Sequence, residues 1–149
     1  MKIRQKIICA IAMLAMFLQS SFALDIVTQD VGAIPAEASA YIKENFASAK
    51  IMSIKIEKEL LGIKEYEVLL TDGTEIEFNP SGEWKQVENK IAFVPMKLLE
   101  APISAYLKQN YPDRKVVSLK KKEKGFEVEL DTRLELVFTK DGKFLGIDD

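Results

Sequence analysis

Histidine is absent from the whole chain, so the side chain that most often acts as a general base near neutral pH is missing. The chain therefore cannot form a Ser-His or Cys-His nucleophile pair, and it lacks the commonest protein ligand for zinc or copper. No glycine-rich phosphate-binding loop is present either. These absences argue against an enzyme, and nothing in the sequence indicates a cofactor or a dedicated metal site.

Cysteine is nearly absent as well, and the single Cys9 falls in an N-terminal segment with the features of a secretory signal peptide. A basic start is followed by an apolar run at residues 7–18, and small residues at Ser21 and Ala23 provide a cleavage site. A membrane anchor fits less well, because a spanning helix needs roughly 20 apolar residues. We predict a signal peptide at residues 1–23 and a periplasmic protein with no membrane span after cleavage.

Positive charge is scarce in the predicted mature chain. The signal segment holds three of the 21 basic residues and none of the 23 acidic ones, so 18 basic residues remain against 23 acidic residues, a net charge of −5. A chain of this charge is a poor candidate for nucleic-acid binding. It also has no cysteine left for a disulfide, so its stability must come from packing.

An internal repeat organises what is present. Residues 39–46 resemble residues 104–111 at an offset of 65, and residues 75–78 resemble residues 135–138 at an offset of 60. Each copy begins with a helical apolar stripe and continues with strands of period two. We predict an α+β fold, a tandem repeat of a helix plus a four-stranded antiparallel β-meander. The predicted segments are an N-terminal lead at 24–32 that could add an edge strand, unit 1 at 33–91 and unit 2 at 92–149.

Turn chemistry sets the predicted register. A three-residue loop at 71–73, with Gly73 in a left-handed conformation, places Val68 opposite Ile76 and Tyr66 opposite Phe78. In unit 2, Arg133 stands where unit 1 has Gly73, so we expect that loop to be longer or strained.

The helices and turns together resemble the PepSY-like, β-lactamase-inhibitor-like family of exported bacterial proteins. The residues that carry the resemblance are Ile34-Pro35, 39–46, 99–103, 106–112, the strand 126–130 and the closing 141–144. The resemblance implies two helix-plus-four-strand units in tandem, a periplasmic location and no enzymatic activity. It transfers no catalytic residues. The chain departs from the family pattern at Arg133 and at Ala47, where a proline is expected.

The same register predicts an apolar patch on the sheet face away from the helices. It places Val137 opposite Leu145, Ile147 opposite Glu135, and Glu75 opposite Val87. Exposed apolar residues in a group indicate an interface. We therefore predict a non-catalytic binding module whose partner is a periplasmic or cell-envelope protein. Inhibition of that partner is one function that such binding could serve. The alternative is that the sheets or the chain ends cover this patch. Its predicted members are Val137, Leu145, Ile147, Leu69 and Val87.

An acidic strip on the same face supports a second hypothesis. Glu67, Glu75 and Glu77 are predicted to lie side by side on adjacent strands, with Glu77 opposite Lys85. The strip could bind a small ligand, a basic partner or a hard cation such as Ca²⁺, which takes six to eight oxygen ligands. The alternative is a solvated sheet face on which Lys85 relieves the repulsion between carboxylates. A lysine cluster at 120–124 is predicted to form a solvated hairpin tip.

Overall fold

The computed structural model describes residues 25–148. The predicted signal peptide at residues 1–23 lies outside these residues. Among the helices of residues 25–148, none is both long enough and apolar enough to cross a membrane.

Two α-helices, two short 3₁₀-helices at Val31–Ala33 and Met96–Leu98, and nine strands make up this part of the chain. Strand β1 comes first, helix α1 precedes strands β2 to β5, and helix α2 precedes strands β6 to β9. Their bounds in chain order are β1 Ile26–Thr28, α1 Ala36–Asn45, β2 Ile51–Glu59, β3 Gly62–Leu70, β4 Glu75–Phe78, β5 Trp84–Glu88, α2 Ala101–Asn110, β6 Val116–Lys122, β7 Gly125–Leu130, β8 Glu135–Thr139 and β9 Phe144–Asp148.

The strands form one antiparallel sheet in which spatial order follows chain order from β1 to β9. The α+β class is therefore confirmed. Strand β1 pairs with β2, so the N-terminal lead does contain an edge strand. The run β2 to β5 is joined to the run β6 to β9 by pairing of β5 with β6, where Val87 lies opposite Leu119. A single surface thus extends across all nine strands.

Both helices cover the same side of this sheet, which we call the inner face. Tyr41 of α1 stacks on Trp84 at a ring-centroid distance of 6.1 Å and meets the edge of Phe78 at 5.9 Å. In α2, Tyr106 stacks on Phe144 at 4.6 Å and meets Phe138 at 5.5 Å. Aromatic pairs of this kind add about 0.5–1.5 kcal/mol each beyond the burial of their area. Each helix is therefore fixed over its strands by a tyrosine.

The predicted register holds across the first three-residue loop. Val68 lies opposite Ile76, and Tyr66 lies opposite Phe78. All four side chains are buried on the inner face, and Val68, Ile76 and Phe78 are fully inaccessible to solvent. The alternation of apolar and charged residues in β3 and β4 thus divides the sheet into a packed face and an open face.

Strand β5 departs from the predicted register. Phe78 lies opposite Trp84, but Glu77 then pairs with Gln86, so Lys85 is an extra residue in a β-bulge. A bulge inverts the parity of every residue beyond it. The predictions that Glu77 faces Lys85 and that Glu75 faces Val87 are wrong. Glu75 instead lies opposite Glu88.

Strand β9 contains a bulge at the equivalent place, where Leu145 is the extra residue. Val137 lies opposite Gly146 instead of Leu145, and Ile147 lies opposite Leu136 instead of Glu135. Both predicted pairings are wrong for the same physical reason, since one inserted residue moves the rest of the strand to the other face.

The loop at 131–133 keeps the geometry of its counterpart at 71–73. Arg133 has a φ of 66°, close to the 84° of Gly73. Its backbone N–H donates to the Leu130 carbonyl at 2.8 Å, as that of Gly73 does to Leu70 at 3.0 Å. The left-handed region is unfavourable for a residue with a Cβ, so the expected strain is present and the loop is no longer than its counterpart.

We expect Arg133→Gly to raise the free energy of unfolding by about 0.5–1 kcal/mol, because glycine adopts this backbone conformation without the Cβ clash. The reciprocal change Gly73→Ala should lower it by about 1 kcal/mol. Urea denaturation of both variants measures the two effects. A loss of stability in Arg133→Gly would show that the arginine side chain outweighs the backbone strain.

Candidate functional site

The side of the sheet opposite the helices is the candidate functional surface, and we call it the outer face. Because side chains alternate along a strand, the residues between the buried positions point to this side. Its carboxylates within residues 25–148 include Asp25, Glu57, Glu65, Glu67, Glu75, Glu77, Glu88, Glu127, Glu129, Glu135 and Asp148. Its lysines in the same strands are Lys55, Lys64, Lys85, Lys120 and Lys122.

Ion pairs neutralise only part of this acidic surface. Lys55 lies 2.6 Å from Glu57, Lys85 lies 2.6 Å from Glu65, and Lys122 lies 2.7 Å from Glu127. The hydrogen bonds that Lys55 and Lys64 donate lower the pKa of Glu57. The outer face keeps an excess of negative charge, since its carboxylates outnumber its lysines.

The predicted acidic strip lies on this face. Glu67 is directly opposite Glu77, and Glu75 is opposite Leu69 on the same pair of strands. Burial in the middle of the sheet raises the pKa of the Glu77 carboxyl, and the nearby charge of Glu65 raises it further. Lys85 donates its hydrogen bond to Glu65 and not to Glu77, but its charge does lower the pKa of the Glu77 carboxyl, as expected of a lysine that relieves the repulsion.

A tighter group of carboxylates lies on strands β7, β8 and β9. The carboxylate oxygens of Glu127, Glu135 and Asp148 come within 4.8 Å of one another. The bulge at Leu145 creates this cluster, because it places Asp148 opposite Glu135. The period-two pattern missed it for that reason, and Gly146, next to the bulge, is the signal that could have revealed it. We call these three residues the carboxylate cluster, and they are the ones that could hold a cation.

The predicted apolar patch does not assemble as one surface. Leu69 and Val137 are half-buried on the outer face. Leu145, the bulged residue of β9, is 60% exposed. Val87 is fully buried on the inner face, so its assignment to the patch is wrong. Ile147 is 50% exposed, but it pairs with the buried Leu136 and so belongs to the inner side at the sheet edge.

One exposed apolar pair was missed by the sequence reasoning. Leu60 and Leu61 form the turn between β2 and β3 and are fully exposed. The equivalent turn between β6 and β7 is Glu123-Lys124, which is charged. Two leucines before the glycine of a hairpin turn are the signal that could have revealed this apolar tip.

Comparisons with known proteins agree with this architecture. The model of the family described as "Putative beta-lactamase-inhibitor-like, PepSY-like" matches residues 26–63 and 64–146. No curated protein shows significant similarity to the chain.

Three solved structures are similar over nearly their full length. A periplasmic protein of unknown function from Bacteroides vulgatus is 40% identical with a TM-score of 0.78, and the match covers 84% of this chain and 99% of that one. A protein described as "putative calcium-regulated periplasmic protein" from Bacteroides thetaiotaomicron is 34% identical with a TM-score of 0.76, covering 84% and 97%. A second B. vulgatus periplasmic protein is 28% identical with a TM-score of 0.74, covering 85% and 98%.

The raised pKa of Glu77 gives a pH-dependent prediction. A carboxyl whose pKa is higher in the folded state favours folding when it is neutral, and this contribution is lost as the pH rises through the folded pKa. We expect Glu77→Gln to stabilise the protein at pH 7 by less than about 1 kcal/mol, since water screens a partly exposed group. Near pH 3 the variant and the natural protein should be equally stable.

Thermal or urea unfolding at the two pH values measures this difference. Glu123→Gln, in the exposed turn between β6 and β7, is the matched control and should change stability little at either pH. A destabilising effect of Glu77→Gln at pH 7 would contradict the assignment of Glu77 as a desolvated carboxylate.

Proposed function

Because this chain belongs to the PepSY-like, β-lactamase-inhibitor-like family, we propose that it is a non-catalytic periplasmic binding protein whose outer face engages a protein partner with a basic surface. The observation that carries the proposal is the acidic, uncovered side of the nine-stranded sheet. Helices α1 and α2 both pack on the inner face, so within residues 25–148 no helix shields the opposite side. The family description makes inhibition one form that such binding could take.

The proposed organisation is a signal peptide at 1–23, a lead at 24–32, and two related units at 33–91 and 92–149. Its support is the recurrence of a helix followed by four strands, with a tyrosine stacked on the opening aromatic residue of the fourth strand in each run. The bulges at Lys85 and Leu145 also occur at the same place in the two runs.

Electrostatics favours a basic partner over an apolar one. The predicted apolar residues that remain on the outer face, Leu69, Val137 and Leu145, are surrounded by carboxylates. Complementary charge speeds association and sets specificity, while a few central apolar contacts supply affinity. A non-catalytic role is supported by the lack of histidine and by the placement of these carboxylates on an open sheet, not in a cleft.

Site-specific photo-cross-linking in cells that naturally contain the protein tests this proposal. A photoreactive residue at Val137 should capture a discrete protein, whereas the same residue at Ala105, exposed on α2, should not. The double variant Glu75→Lys, Glu77→Lys should abolish the Val137 product, and higher salt should weaken it. Equal capture from Val137 and Ala105, or an unchanged product in the double variant, would contradict an outer-face interface.

A second candidate function is calcium binding by the carboxylate cluster. Glu127, Glu135 and Asp148 offer up to six oxygens if all three carboxylates bind through both atoms, the lower end of the range that Ca²⁺ takes. One similar structure is described as calcium-regulated. A cation would have to displace the Lys122 ammonium from Glu127, so we expect modest affinity.

Calorimetric titration with Ca²⁺ tests this candidate. Binding should be lost in Glu135→Gln and retained in Glu75→Gln, the control from the corresponding position of unit 1. If the natural protein gives no binding heat, or if both variants behave like it, the carboxylate cluster is not a calcium site.

A further inference from the structure

A small apolar cleft lies at the C-terminal end of helix α2, away from the outer face of the sheet. Its volume is about 160 Å³. Its deepest walls are the buried side chains of Val94, Leu107, Val116 and Leu130, each at most 4% exposed. Phe93 and Met96, from the segment that links β5 to α2, lie at its more exposed edge.

The backbone at this edge is strained. Phe93 has a φ of 66°, in the left-handed region that bulky residues rarely adopt. The strain is maintained from both sides, because Ala92 donates its N–H to the Asn89 side chain at 2.8 Å and Val94 donates its N–H to the Val116 carbonyl at 2.8 Å. Strain of this kind collects at ligand-binding sites, where it holds a side chain in a set position.

Three cationic side chains, Lys108, Arg114 and Lys115, line the same cleft, and no carboxylate does. Within residues 25–148, none of the three has a carboxylate oxygen within 4.0 Å, whereas the outer-face lysines Lys55, Lys85 and Lys122 all do. A locally cationic rim in a chain of net negative charge is suited to an anion.

From the apolar walls and the cationic rim we infer that this cleft binds a small organic carboxylate with one apolar group of about the size of benzene. An apolar cavity of about 150 Å³ is known to accept benzene, and pockets for larger organic ligands begin at about 300 Å³. The apolar group occupies the space between Leu107 and Val116. The carboxylate stays at the rim, where the Arg114 guanidinium can donate two parallel hydrogen bonds to it.

The corresponding part of unit 1 lacks this chemistry. At the offset of 65, Thr28 and Gln29 replace Phe93 and Val94, and Ala49 replaces Arg114. Lys43 and Lys50 do correspond to Lys108 and Lys115. Unit 1 therefore provides a matched control that removes equivalent lysines without touching the cleft.

Titration with 3-phenylpropionate, followed by methyl NMR, tests the inference in the chain after removal of residues 1–23. Shifts should concentrate on the methyl groups of Val94, Leu107, Val116 and Leu130. The neutral isostere 3-phenylpropan-1-ol should bind at least about fivefold more weakly, since an ionic contact near a protein surface is worth about that factor or more.

The triple variant Lys108→Gln, Arg114→Gln, Lys115→Gln should weaken binding of the acid about tenfold and leave binding of the alcohol unchanged. The control Lys43→Gln, Lys50→Gln, Lys140→Gln removes the same number of charges and should leave both affinities unchanged. NMR spectra of each variant report whether its fold is intact. Equal affinity for acid and alcohol, shifts spread outside the cleft, or no shift at millimolar ligand would overturn the proposal.

Discussion

The buried side chain of Asn89 is the interaction on which the rest of this structure depends. It donates to the Thr74 hydroxyl at 2.9 Å and to the Asp72 carbonyl at 3.2 Å, and it accepts from the N–H groups of Ile91 and Ala92 at 2.9 and 2.8 Å. Its own N–H donates to the carbonyl of Val117 in β6. One residue, only 2% exposed, thus connects the β3–β4 turn to the segment that follows β5 and to strand β6. A buried amide with its hydrogen-bonding positions filled specifies one arrangement of the chain, because any other would leave it unpaired.

Two functional features follow from this junction. Because the linker leaves β5 in a fixed direction, β6 pairs with β5 and the sheet continues without interruption, which makes the outer face one surface across nine strands. The same turn forces Phe93 into its left-handed conformation at the edge of the apolar cleft. The outer face proposed to bind a protein and the cleft proposed to bind a carboxylate therefore have opposite charge but share one structural origin.

The alternation of side chains was enough to predict the α+β class, the register through Tyr66, Val68, Ile76 and Phe78, and the acidic character of the outer face. The predictions for Val87 and Ile147 were wrong, because each residue follows a single-residue bulge. A bulge moves the residues after it to the other face, and strict alternation of side chains does not anticipate it. The carboxylate cluster was missed for the same reason. The role of Asn89 was not predicted, since it depends on Thr74 and Asp72, which are distant in sequence. Arg133 was the exception, because a repeat with glycine at the equivalent position exposes the strain directly.

The most direct test of the junction is the stability of Asn89→Ala against that of Asn110→Ala. Asn110 makes one exposed side-chain hydrogen bond, to the Tyr106 carbonyl, and its replacement should cost less than about 0.5 kcal/mol. Asn89→Ala should lower the free energy of unfolding by about 2 kcal/mol or more, and hydrogen exchange should show that the amides pairing β5 with β6 lose protection first. Equal stability of the two variants, with β5–β6 protection unchanged, would contradict the claim that Asn89 holds the sheet together as one surface.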